Sequence, residues 1–245
     1  IQLYADFTGG IDVTIGIAQA LGIRVQENLN LPYFSMSLKE YWRRWHITMG
    51  SWFRDYIFMP ISVTRPMMKL NKALSGKIGR VAASKTVAYL ASGVTWFATG
   101  LWHGAAWNFI IWGLYFAILL VMEKTFLLKH LEHSKVLSHV YVLFSVVISF
   151  VIFNATSLPQ VLTDIGGMFG SGNLPLISAE AIYYLRSYAV IFVLAILGAT
   201  PIPKKFVSKW KIPQYVEPII LLLLLVVITA YLVDGSFNPF LYFRF

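Results

Sequence analysis

The sequence has no cysteine. This excludes disulfides, thiol nucleophiles and cysteine-ligated metals at once. Charge is also scarce: 13% of the residues are Asp, Glu, Lys or Arg, against about 25% in an average soluble domain. A soluble fold of 245 residues would have too few charges to coat its surface. There is no Gly-x-Ser-x-Gly stretch for a serine nucleophile and no P-loop. Internal repeats and low-complexity segments are absent. The Gly-rich patch 166–172 reads as a loop, because no basic helix start follows it. The first residue is Ile, and no charged leader with a cleavage site precedes the chain. It therefore reads as a piece of something longer.

What is present is apolar, with 58% of the residues hydrophobic and 16% aromatic. Lipid suits such a composition, since it lets apolar side chains face outward. The formal net charge is +9, but it is not spread as a nucleic-acid footprint would be. Arg65, Lys69, Lys72, Lys77, Arg80 and Lys85 fall in one stretch with no acid among them. Lys204, Lys205, Lys209 and Lys211 form a second cluster. Both lie between apolar runs, as the basic loops of membrane proteins do. Membrane lipids, and not nucleic acid, are the partners this pattern implies.

Charge-free runs mark candidate spans. The longest, Thr86–Met122, suits two helical arms, because one crossing needs roughly 20 residues. Gly100 and Gly104 lie near its middle and offer a place to turn. Val140–Thr163, Ser187–Pro203 and Pro218–Val233 are the others. The fold expected is all-α, a multi-pass membrane protein with about five transmembrane helices in 86–245. With the 64–85 loop cytoplasmic, alternation places 154–186 outside and 204–211 back inside. The charges of those loops agree at each step.

Residues 1–63 contain amphipathic pieces and no clean span. In 36–56, Trp42, Trp45, Met49 and Trp52 recur at helical spacing, and Glu40 can meet Arg43 or Arg44 one turn on. Such a helix would lie at the interface or re-enter the membrane against protein. Asp12 precedes an apolar periodic run and reads as an N-cap.

Two histidines stand out. His103 sits in the middle of the longest uncharged run, and an ionisable residue at membrane depth is by default a functional hypothesis. Burial without an acid partner favours neutral imidazole, the form a general base needs. A hydrogen bond between helices, or a place at a helix end, would also account for it. His46 lies one turn from Trp42 and Arg43, where it could equally face lipid headgroups. Arg43, Arg44 and Arg54 could bind lipid phosphates or the diphosphate of a carrier such as coenzyme A. Asp55 beside Arg54 reads as an ion pair. His130, His133 and His139 read as solvated, and with no third ligand near them no metal site is expected.

Four stretches together resemble the membrane-bound O-acyltransferase family, in the branch of alginate and peptidoglycan O-acetyltransferases. They are IQLYADFTGGIDVTIGIAQALGI (1–23), KEYWRRWHITMGSWFRDYIFMPIS (39–62), TGLWHGAAWNFIIWGLYFAILLVMEK (99–124) and FNPFLYFRF (237–245). The second and third are the specific ones. The resemblance implies that residues 1–245 are the C-terminal part of one such domain, with N-terminal spans absent. It places the two functional histidines on His46 and His103, with His103 activating an acceptor hydroxyl for attack on an acyl thioester. Trp102, Gly104 and Asn108 would line the site. Trp42, Arg43, Arg44, Trp45, Arg54 and Asp55 would support the segment carrying His46.

The resemblance further implies a bacterial plasma-membrane enzyme with no permanently bound cofactor and with acetyl-CoA or another acyl thioester as donor. The acceptor would be a cell-envelope polysaccharide, reached with an extracytoplasmic partner protein. The nearest rival within the fold is D-alanyl transfer to teichoic acid. From another class, a transporter could use His103 as a gate, but it would be expected to show an inverted repeat.

Overall fold

The computed structural model describes residues 2–172, 175, 177–210, 213 and 215–234. The terminal FNPFLYFRF stretch lies outside them. Every regular element among the described residues is a helix, so the chain is all-α. It divides into two compact units, residues 26–178 and residues 1–25 with 179–245.

In the second of these, α1 (Gln2–Ala20) runs without interruption through Asp12. Asp12 is therefore mid-helix and not at an N-cap position. The apolar run after Tyr188 forms α12 (Ala189–Gly198), bent by 63° from α11 (Ala179–Ser187). The short α13 (Ile202–Val207) follows. The leucine-rich run forms α14 (Val216–Asp234), whose apolar side chains from Ile219 to Ile228 are exposed. Apolar side chains all round a helix suit lipid.

Residues 26–178 carry the segments that the sequence singled out. After a single helical turn at Pro32–Phe34 come α2 (Leu38–Arg44) and α3 (Ile47–Phe53), then a wider π turn over Arg54–Phe58 and α4 (Met59–Ser62). The basic α5 (Arg65–Ile78) leads into α6 (Arg80–His103). The chain reverses at Gly104–Ala106 into α7 (Trp107–Met122), which continues through a π turn and α8 (Leu128–Leu131). Ser134 caps α9 (Lys135–Asn154), and Ser157 caps α10 (Leu158–Met168). α10 thus takes in the first three residues of the patch read as a loop.

Among the described residues two helices are long and apolar enough to cross a membrane, Trp107–Leu131 and Lys135–Asn154, and the α11–α12 pair makes a third if it is one span, short of the five expected. α6 has the length but not the hydropathy, because Ser92, Thr95, Thr99 and His103 interrupt its apolar run. Its buried residues Ala83, Val87, Ala91, Thr95 and Thr99 recur at every fourth position. Small side chains at this spacing let helix backbones approach closely. Glycine takes the approach furthest. A Cβ on Gly113 would collide with the Trp96 carbonyl, and one on Gly100 with the Phe109 carbonyl. Gly100 therefore sits inside α6 as a packing residue, and the turn falls four residues later.

The core joins α7 and α9 through Trp112, Phe116, Leu120, Val142, Val146 and Ile152. Leu38 and Tyr41 of α2 are buried in the same cluster, so α2 packs against protein. A reciprocal pair of bonds close to a capping box starts it. Ser37 Oγ accepts from the Glu40 N–H (3.1 Å), and Glu40 accepts in return from the Met36 N–H (2.8 Å). A second anchor comes from far along the chain. Glu123, 1% exposed, accepts from the N–H groups of Leu38 (2.6 Å) and Lys39 (3.1 Å). A carboxylate there meets the positive end of the helix dipole.

The aromatic stripe does not lie on one helix, as its spacing suggested. α2 ends at Arg44, Trp45 is extended, and His46 is left-handed at φ 48°. Residues 28–30 run antiparallel to this break. Asn30 N–H donates to Arg44 O, Ile47 N–H donates to Asn28 O, and the Asn28 side chain accepts from both N–H and Oγ of Thr48. These bonds replace helical ones that the break gives up.

Candidate active site

The left-handed turn aims His46 away from the line of α2. A non-glycine residue there is strained, and the bonds from Asn28 and Asn30 on either side hold it. Its ring lies 6.3 Å from that of Trp102, which in turn meets His103 at 4.9 Å. Trp102 thus bridges two histidines that are 57 residues apart in sequence. Burial pushes the His46 imidazole down to about 4, so it is neutral at neutral pH.

His103 closes the last turn of α6. Perpendicular rings wall it on two sides, Trp112 at 5.0 Å and Phe153 at 5.0 Å, with Phe109 at 6.3 Å. Asn108 is buried and donates to Phe153 O at 2.9 Å. It ties the start of α7 to the end of α9 and so fixes Phe153 against His103. Gly104 leaves room for the Phe109 ring, whose Cε2 would lie 2.7 Å from a Cβ at that position. Two of the three residues expected to line the site, Gly104 and Asn108, therefore act on the rings around His103, while Trp102 lies between the two histidine rings.

Beside this cluster lies a cavity of about 460 Å³. Lys39, Arg43, Arg54 and Lys124 stand on its wall, with Trp42, Met49, Phe53 and Trp96 forming an apolar body. α6 contributes Ser92, Thr95 and Thr99, the last of these one turn before His103. Trp42 meets Trp96 at 4.7 Å and Trp112 at 5.7 Å, and so joins the cavity wall to the rings around His103.

The remaining expected residues are placed apart from the imidazoles. Arg44 pairs with Glu40 at 2.6 Å and reaches toward the Leu31 carbonyl. Trp45 stacks on Tyr41 and meets Phe150. Arg54 and Asp55 form an exposed two-bond ion pair, in which each holds the other charged. His130 and His133 are exposed, but His139 bonds the Ser35 carbonyl at 3.1 Å and is a structural tie between α9 and the 32–35 turn. Among the described residues, no three of His, Asp and Glu cluster as metal ligands would. Sequence reasoning missed Glu123, Trp96, Trp112 and Phe153. Of these only Glu123 gave a signal, as the first charge after a long apolar run.

The chain is thus an all-α fold with helices apolar enough to span a membrane and two histidines beside a cavity walled by cations and aromatics. No family model matches the chain. Curated relatives do. It is 30% identical to a probable alginate O-acetylase of Azotobacter vinelandii over all of this chain and 52% of that protein. It is 29% identical to a peptidoglycan O-acetyltransferase of Helicobacter pylori, over 76% of this chain and 33% of that one. With a teichoic acid D-alanyltransferase of Bacillus subtilis the identity is 34%, over 51% of this chain and 29% of the relative. The chain belongs to the membrane-bound O-acyltransferase family. It spans about half the length of the first of these relatives.

Proposed function

We propose that the complete protein transfers an acyl group, acetyl in the first instance, from a thioester to a hydroxyl of an envelope polysaccharide, with His103 as general base. The observation that carries this reading is the convergence of His46 and His103, from separate segments, at one side of the cation-walled cavity. A thioester carbonyl is already electrophilic, so a base beside the hydroxyl and a donor for the developing oxyanion suffice. Lys39, Arg43, Arg54 and Lys124 suit the phosphates of acetyl-CoA or another phosphate-bearing thioester. The apolar body suits the acyl arm.

The position of His103 along the helices supports transfer across the membrane. Glu123 touches Leu38 at the end of α7 that adjoins the basic segments, while Phe109 meets His103 near the other end. Fourteen residues of helix separate them, roughly 21 Å, most of the roughly 30 Å hydrocarbon core. Donor and acceptor would thus approach from opposite faces of the bacterial plasma membrane, with a partner protein receiving the group outside.

The test is His103→Ala in the full-length protein, with protein level in the membrane and acyl content of the envelope polymers both measured. Loss of the base should lower transfer by about 10²- to 10⁴-fold at an unchanged level. Undiminished acylation overturns the proposal. Appearance of D-alanyl in place of acetyl esters would redirect it to the teichoic-acid reaction.

A further inference from the structure

Acyl transfer at this site leaves one chemical need without an owner. Attack on the thioester places negative charge on the carbonyl oxygen, and water-excluded sites meet such charge with fixed hydrogen-bond donors. His103 is committed to the attacking hydroxyl. Lys39, Arg43, Arg54 and Lys124 line the donor cavity, where they suit phosphate.

Two buried indole N–H groups in the ring cluster have no hydrogen-bond acceptor among the described residues, Nε1 of Trp42 and Nε1 of Trp112. Buried donors are paired as a rule, so two in adjacent rings call for an acceptor brought by an occupant. Their places agree with that. Trp112 is 5% exposed and stands perpendicular to His103 at 5.0 Å. Trp42 walls the cavity and lies 5.7 Å from Trp112. Trp112 and His103 stand behind Trp42 and do not themselves line the cavity, so a thioester whose acyl end passes Trp42 toward His103 would bring its carbonyl to these two rings.

We propose that the indole N–H groups of Trp112 and Trp42 hold the carbonyl oxygen of the acyl thioester and take up its charge as the tetrahedral intermediate forms. This rests on the acyl-transfer reading. In the step, His103 accepts the hydroxyl proton while the hydroxyl oxygen bonds to the carbonyl carbon. The carbonyl π electrons move onto the oxygen between the two indoles. Collapse restores the carbonyl, breaks the carbon–sulfur bond and expels the thiolate, which takes the proton back from His103.

The competing account is that each N–H points at an aromatic face, as the perpendicular packing of Trp42 on Phe116 at 4.8 Å would allow. In that case the nitrogen is dispensable. The experiment replaces Trp112, and separately Trp42, in the full-length protein with benzothienylalanine, which keeps the ring shape and puts sulfur in place of N–H. kcat, the KM for acetyl-CoA and the thermal midpoint are measured for each.

The expected result is a kcat lowered by about 100-fold or more, with KM nearly unchanged. The midpoint should hold or rise, because an unpaired buried donor has been removed. The double replacement should lose less than the product of the single losses, since both donors serve one oxygen. A kcat within twofold of the natural protein, or a kcat that falls only together with the midpoint, overturns the assignment. His103→Ala separates the two layers. If it retains activity, the acyl-transfer reading fails. If it is inactive while the sulfur variants are active, the donor assignment alone fails.

Discussion

His46 shows how one residue can be costly and still be held in place. It occupies a left-handed conformation between two short helices, and its ring is buried against Trp102. Burial favours the neutral imidazole and lowers its proton affinity, from an ordinary 6.5 to about 4. An unfolded chain therefore binds a proton at this residue at pH values where the folded chain does not. Folding stability contributed by His46 is full above about 6.5 and is lost as the pH falls toward 4. The slope approaches about 1.4 kcal/mol per pH unit within that window. Detergent-solubilised protein should show a falling thermal midpoint from pH 7 to pH 4.5, and His46→Gln should remove part of that fall. An identical profile in the two proteins would show that His46 gains no proton on unfolding.

Elements differ in how far the sequence announced them. Charge-free runs located α7 and α9, because a span is long and its composition has only one physical explanation. The α2–α3 pair was harder to read. Its Trp spacing fits a single helix, and the break at Trp45–His46 is made by Asn28 and Asn30, whose side chain and backbone lie well outside the segment. Gly100 misled for a similar reason. A glycine in an apolar run reads as a turn, but what it serves is the backbone of α7. His103 and His46 were legible as residue types, whereas the rings that enclose them come from three helices and carried no local signal.

The same long-range logic makes a prediction at the element scale. Glu123 accepts from the first two N–H groups of α2 and lies outside the ring cluster around the histidines, so in the proposed reading it would position His46 from the far end of α2. Glu123→Ala should expose those donors to no acceptor and destabilise the packing by about 1–3 kcal/mol. Glu123→Gln keeps one carbonyl acceptor and should recover part of both stability and transfer activity. Equal loss in the two variants would show that charge, and not hydrogen bonding, does the anchoring.

For the molecule as a whole, the disposition of charge across residues 26–178 implies a direction. Arg65 through Lys85 carry six bases and no acid, and α6 leads away from them to His103. α7 returns to Glu123 and Lys124, and α9 leads away again to Asn154, where Phe153 meets His103. The start of α6, with Arg80 and Lys85, and the α9–α10 end therefore lie at opposite ends of the helices, with the ring cluster around His103 near the latter. In the proposed reading, bases retained on the cytoplasmic side would put the α10 end outside and turn the proposed donor cavity toward the cytoplasm. The absence of cysteine makes this readable, provided the full-length protein is first freed of any others. Gly76 is exposed with nothing within 4 Å of an added Cβ, and Ser171 is exposed beyond α10. A membrane-impermeant maleimide should label Ser171→Cys in intact cells and Gly76→Cys only after permeabilisation. Labelling of both in intact cells would mean that α6, α7 and α9 do not cross in alternation. Labelling of Gly76→Cys alone would mean that the basic segment faces outward, and the donor side would have to be reassigned with it.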